Sequence, residues 1–128
     1  MGAGRLLIID DEAPIAAILE RIGKGCGFDV ATTTTAAAFK ASYAAGPPHV
    51  IILDLAIPQV DGIELLRWLG NEKSAAVILI ITGFGGKIPE SAKLLGEARG
   101  LKMGGIINKP FRVADIHAVL TELAASAS

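Results

Sequence analysis

The chain has 128 residues and 52% hydrophobic composition, enough for one domain with its own core and far from the make-up of a disordered segment. A net charge of −1, with both signs spread along the chain, gives no footprint for nucleic acid or an anionic membrane surface. One cysteine, Cys26, excludes an internal disulfide, and the longest wholly apolar run, Ala75 to Ile81, is well short of a membrane span. The expectation is a single cytoplasmic domain over residues 1–128.

Five short apolar runs alternate with helical patterns. The first strand is expected at Arg5–Ile9, followed by a helix opening around Glu12–Pro14, where proline is tolerated in the first turn. The second strand is expected at Phe28–Thr32, and Gly46-Pro47-Pro48 stops the helix after it because proline cannot continue one. The third strand is Val50–Leu53. Asp61 and Glu64 then have the spacing of a reciprocal capping pair, and Ile63, Leu66 and Leu69 fall on one helical face. The fourth strand is Val77–Ile81 and the fifth Met103–Ile107. Val113, Ile116, Leu120 and Leu123 mark the buried stripe of the last helix.

The first, third and fourth strands are continuous apolar runs, as expected of strands covered on both faces. Strand–helix alternation with short loops predicts an α/β fold, a doubly wound five-stranded parallel sheet. In such a sheet the residues just after each strand gather along one edge, and ligands bind there where the strand order reverses. That edge would collect Asp10 and Asp11, Asp54, Thr82, and Lys109 with Pro110. Singly these have plain explanations: a helix cap at Asp10 or Asp11, a turn at Asp54, a solvated lysine at Lys109. Together, three carboxylates repel one another unless a cation sits among them, and Mg2+ suits an all-oxygen site.

The segments Leu7-Ile-Ile-Asp10-Asp11-Glu12, Ile51-Ile-Leu-Asp54 through Pro58 to Asp61-Gly62, Ile80-Ile-Thr82-Gly83 and Asn108-Lys109-Pro110-Phe111 occur in this order, each at its own strand. In them the sequence resembles the receiver domains of two-component response regulators over nearly its whole length. The resemblance implies a flavodoxin-like (βα)5 fold with strand order 2-1-3-4-5. It implies that Asp54 accepts a phosphoryl group from a histidine kinase or histidine phosphotransfer protein. Magnesium would be held by Asp10, Asp11, Asp54 and the backbone carbonyl of Ala56. Lys109 and Thr82 would bind phosphoryl oxygens, Pro58 and Gly62 would shape the turn behind Asp54, and Pro110 would be a cis or turn proline beside the site. The chain would act only on its own phosphorylation state and would not be an enzyme in the ordinary sense. It would bind neither nucleic acid nor membrane directly, signalling to an unidentified protein target as a monomer or weak dimer.

Family members report phosphorylation through the face formed by the fourth helix, fifth strand and fifth helix, using an aromatic residue three positions before the lysine. Here that position is Ile106, which has no ring to rotate. The interval from Thr82 to Lys109 spans 27 positions, longer than is usual in the family, so Gly83–Gly105 is expected to form a remodelled output face. Ala56 and Phe84 occupy the positions that tune phosphoryl lifetime; both are apolar, which predicts slow self-dephosphorylation. Other readings are a receiver that docks without phosphorylation, a receiver cut from a larger regulator with an effector domain, a magnesium-dependent phosphatase and a nucleotide or flavin binder. The phosphatase would need its aspartate on the first strand, an acid two residues later and a substrate-capping insertion; here position 12 is Glu, position 13 is Ala, and the sequence shows no such insertion. The nucleotide binder would need a glycine- or hydroxyl-rich loop where this chain has Asp10-Asp11-Glu12. His49, His117, Trp68, Phe28, Phe39, Tyr43 and Phe111 are read as surface or packing residues, and Cys26 as a small, partly buried one.

Overall fold

The computed structural model describes residues 4–55, 62–83 and 87–127. Strands β1 (Arg5–Ile9), β2 (Asp29–Thr33), β3 (Val50–Asp54), β4 (Val77–Thr82) and β5 (Lys102–Asn108) alternate with helices α1 (Ala13–Gly25), α2 (Ala36–Ala45), α3 (Gly62–Asn71), α4 (Lys87–Ala98) and α5 (Val113–Ala127). All four strand pairings are parallel, in the order β2-β1-β3-β4-β5. The expected fold is therefore the observed one. The three strands read as continuous apolar runs are the three inner strands, where both faces are covered.

Alternate residues of the inner strands feed two separate cores. Leu7, Ile9, Ile51, Leu53, Ile78 and Ile80 pack with Phe39, Tyr43, Leu65, Leu66, Leu69 and Ala92 from α2, α3 and α4. Leu6, Ile8, Val50, Ile52, Leu79 and Ile81 pack on the other face with Leu19, Ile22, Ile116 and Leu120 from α1 and α5. Trp68 closes the first core at its rim, edge-on to Tyr43 with ring centroids 5.2 Å apart.

The helix ends follow local chemistry. Pro14 lies in the first turn of α1, and the Thr35 hydroxyl caps α2 by accepting from the Ala38 N–H at 3.1 Å. Gly46 ends α2 ahead of the two prolines. The capping pair expected at Asp61 begins outside the described residues, as does Pro58.

Strands β2 to β4 run one residue past their expected ends and β5 one residue further at both ends, and three other features differ from expectation. β2 starts at Asp29 rather than Phe28, because Phe28 enters the α1–α5 core before the ladder begins. The buried stripe of α5 starts at Ile116; Val113 is 55% exposed, since periodicity gives a helix face its direction but not the extent of the surface beneath it. β5 carries a bulge: Ile78 pairs with Met103 but Leu79 with Gly105, leaving Gly104 as the extra residue. A Cβ on Gly104 would lie 2.6 Å from Val77 Cγ1, and Gly105 has φ +142, so the bulge needs both glycines. Part of the long Thr82–Lys109 interval is thus taken up inside β5 instead of around α4.

Ile52 is fully buried at the sheet centre, whereas Leu94 on α4 is 65% exposed. Ile52→Ala should lower unfolding free energy by about 2–5 kcal/mol. Leu94→Ala should stay within about 0.5 kcal/mol of the parent. Urea denaturation of the two variants checks the assignment of core and surface.

Candidate functional site

The strand order reverses between β1 and β3, so their carboxyl ends border the crevice at the switch point of the sheet. Asp10 directly follows β1, and Asp54 is the last residue of β3. Thr82 ends β4 next door, and Lys109 directly follows β5. Backbone bonds extend the ladder just far enough to fix these positions. The Asp10 N–H donates to the Thr33 carbonyl at 3.1 Å, and the Lys109 N–H to the Thr82 carbonyl at 2.8 Å. The peptide bond joining Lys109 to Pro110 is cis, as expected for the proline beside the site.

Asp10, Asp54 and Thr82 are fully buried, while Asp11 is exposed. Carboxylate oxygens of Asp10, Asp11, Glu12 and Asp54 all come within 4.8 Å of one another. Lys109 reaches into this cluster. Its Nζ lies 3.1 Å from Asp54 Oδ2, 3.2 Å from Asp10 Oδ2 and 3.0 Å from Glu12 Oε1. Its side chain is only 12% exposed, so it is not the solvated surface lysine that Lys-Pro alone would suggest.

Helix capping does not account for the acidic run. The residue at the N-cap of α1 is Glu12, and its side chain makes no capping hydrogen bond. Asp10 instead turns its Oδ1 back to accept the Glu12 N–H at 2.9 Å. Glu12 is the site residue that sequence reasoning missed: the sequence places it at the start of α1 and in the Asp10-Asp11-Glu12 run without giving it a role in the site. The signal available was its place in an unbroken Asp-Asp-Glu run. Its partner Lys109 lies 97 positions away, and no local pattern reveals that contact.

The electrostatics follow from burial. Loss of water pushes the Asp10 carboxyl up to about 6; the Asp54 charge adds to this, while the Glu12 N–H and Lys109 oppose it. Burial alone would lower the Lys109 ammonium, but hydrogen bonds to Glu12 and Asp54 and the charges of Asp54 and Asp10 hold it above its usual value.

One observation tests whether the cluster fits a metal ion. Among the described residues, Asp10 Oδ2 is the buried side-chain oxygen with no hydrogen bond, although Lys109 Nζ lies 3.2 Å away. A buried carboxylate oxygen without a donor, facing three further carboxylates, is an arrangement that a hard divalent cation satisfies. Asp10, Asp11 and Asp54 therefore fit magnesium. Ala56 and Phe84 lie outside the described residues. Ile106 lies on β5 opposite Ile80, half-buried against the core beneath α2, α3 and α4. His49 accepts the Arg5 N–H on Nδ1 at 3.0 Å, and Cys26 is half-buried with its thiol near Thr121 Oγ1; neither joins the site.

Residues 6–121 match the family model described as the response regulator receiver domain. Among curated proteins, the chain is 30% identical over 116 residues to the alkaline phosphatase synthesis transcriptional regulatory protein PhoP of Bacillus subtilis, covering 89% of this chain and 45% of that protein. It is 32% identical over 122 residues to the cell cycle response regulator CtrA of Brucella ovis, covering 91% and 50%. The chain thus spans about half the length of these relatives. A response regulator from Colwellia psychrerythraea superposes with TM-score 0.82 at 26% identity, covering 98% of this chain and 99% of that one. A CheY-like receiver domain protein from Methanospirillum hungatei shares the fold with TM-score 0.80 at 21% identity, covering 96% and 94%. With four carboxylates and one lysine gathered at the switch point of a β2-β1-β3-β4-β5 sheet, the chain belongs to the response regulator receiver domain family.

Proposed function

We propose that Asp54 accepts a phosphoryl group from a phosphohistidine of a kinase or phosphotransfer protein. The observation that carries this reading is the buried Asp54 carboxylate, held 3.1 Å from Lys109 within a cluster of four acidic side chains. An Asp54 oxygen attacks phosphorus, the P–N bond breaks, and its electron pair stays on the imidazole nitrogen, which takes up a proton. The product is an acyl phosphate. Asp10, Asp11, Asp54 and the Ala56 carbonyl would hold magnesium, which neutralises charge on the phosphoryl oxygens during transfer. Lys109 is already within reach of Asp54 and would turn a donor to one phosphoryl oxygen. Thr82, one strand over, would donate its hydroxyl to another. Burial of Asp10 and Asp54 keeps bulk water from the newly formed bond.

The output passes through Thr82 and the segment that follows it, toward the face of α4, β5 and α5. Ile106 sits where family members carry a rotating ring, so in this chain movement of Thr82 and its loop carries the signal. The readers of that face would be protein partners or a second copy in a weak dimer, with no direct contact to nucleic acid or membrane. No helix among the described residues is long and apolar enough to cross a membrane. A cytoplasmic site of action fits a kinase-fed domain, and the transcriptional and cell-cycle roles named for the relatives belong to proteins about twice as long.

Incubation with magnesium and acetyl phosphate, followed by intact mass, should show the gain of one phosphoryl group. The gain should disappear in Asp54→Ala and when magnesium is removed; an unmodified parent chain would contradict the proposal. With Ala56 and Phe84 apolar, the modified chain should persist for minutes or longer after donor removal, and a lifetime of seconds would contradict that expectation.

The Asp10 carboxyl gives a pH dependence with a defined sign. Its folded-state value, about 6, lies above the ordinary 3.8. As pH falls from about 6 toward 4, the folded chain keeps a proton that the unfolded chain has lost, so this group adds stability to the metal-free fold. Magnesium needs the ionised carboxylate, so its binding should weaken over the same fall in pH. Urea midpoints at pH 7.5 and 5, with and without magnesium, should show metal stabilisation shrinking at pH 5. In metal-free protein Asp10→Asn should raise the midpoint at pH 7.5.

A further inference from the structure

We propose that Glu12 is a positioning residue that holds Lys109 in the resting site and thereby sets how readily the site takes a phosphoryl group. The inference deepens the proposed function and rests on it. An ammonium group has three donors. In this structure Lys109 Nζ has three carboxylates at 3.0–3.2 Å, those of Glu12, Asp54 and Asp10. Two of them, Glu12 Oε1 and Asp54 Oδ2, accept hydrogen bonds from Nζ, and a phosphoryl oxygen arriving at Asp54 competes with both for the ammonium.

The three carboxylates differ in what separation from Nζ would cost. Asp10 and Asp54 are 0% exposed, so drawing the ammonium away from either weakens an attraction that water does not replace. Glu12 is 56% exposed, and water solvates its carboxylate once Lys109 leaves. Glu12 is thus the acceptor that Lys109 gives up. Its side chain makes no capping hydrogen bond although it stands at the N-cap of α1. Its backbone N–H, bonded to Asp10 Oδ1, fixes where the side chain starts. The Glu12 carboxylate also adds one negative charge beside the place where an anionic group must arrive. Restraint of the lysine and repulsion of the anion act in the same direction: both oppose phosphoryl binding.

Two variants separate these contributions. Glu12→Gln removes the charge and weakens the contact with Lys109. Glu12→Asp keeps the charge but is one methylene too short to hold Nζ at the same place. The probe is beryllofluoride, a phosphoryl mimic, titrated into the full chain at saturating magnesium with affinity read by calorimetry. Spectra of 15N-labelled lysine before addition report the state of Nζ. Both variants should bind beryllofluoride roughly two- to fivefold more tightly, the range expected for loss of a partly exposed ion pair. Both should also shift the Lys109 Nζ signal in the resting protein, with no loss of melting temperature. Unchanged or weaker binding in Glu12→Gln would overturn the proposal. So would Glu12→Asp behaving as the parent, which would leave only a field effect and no restraint of the lysine. A parent chain that takes no beryllofluoride, or one whose binding survives Asp54→Ala, would overturn the acceptor role of Asp54 and the role of Glu12 with it.

Discussion

Lys109 brings one ammonium to within 3.2 Å of three carboxylates, two of them without contact with water. Four acidic groups within 4.8 Å of one another would otherwise drive the crevice open or force protons onto it. The lysine offsets part of that repulsion and leaves the rest. The remainder is visible in Asp10, whose carboxyl is pushed up to about 6 and whose Oδ2 has no hydrogen bond. A site left short of positive charge in this way fits a divalent cation.

The sheet makes this arrangement possible. Parallel strands bring four chain segments to one edge, and the order β2-β1-β3-β4-β5 opens a crevice between the ends of β1 and β3. Two apolar cores clamp the inner strands from either face, so Asp10, Asp54 and Thr82 are held by rigid elements. Among the described residues, Lys109 and Glu12 reach into the crevice with the longest side chains. Those two can exchange partners while the buried carboxylates stay in place.

Much of this was legible in the sequence, for reasons that can be named. The inner strands showed themselves because a strand buried on both faces must be apolar throughout, as Leu6–Ile9 and Val77–Ile81 are. Asp10, Asp54 and Thr82 were legible because each follows such a run directly, Lys109 because it lies just past the end of the fifth strand, and the parallel topology brings them together. The edge strands were less clear. β2 is mostly exposed, so the hydrophobic Phe28 was taken for its first residue. The bulge in β5 has no hydrophobic period to betray it, and only the pair Gly104-Gly105 hinted at an irregular backbone. The contact between Glu12 and Lys109 was illegible because it depends on a side-chain reach across 97 positions of sequence, which composition and spacing do not encode.

The central claim is that the acid chosen for phosphoryl transfer is Asp54, although three other carboxylates lie beside it. Borohydride reduces an aspartyl acyl phosphate to homoserine, so reduction of the phosphorylated chain followed by peptide sequencing locates the modified residue. Homoserine is expected at position 54 and nowhere else. A reduced product at Asp10, Asp11 or Glu12, or a phosphoryl group retained on His49 or His117, would contradict it.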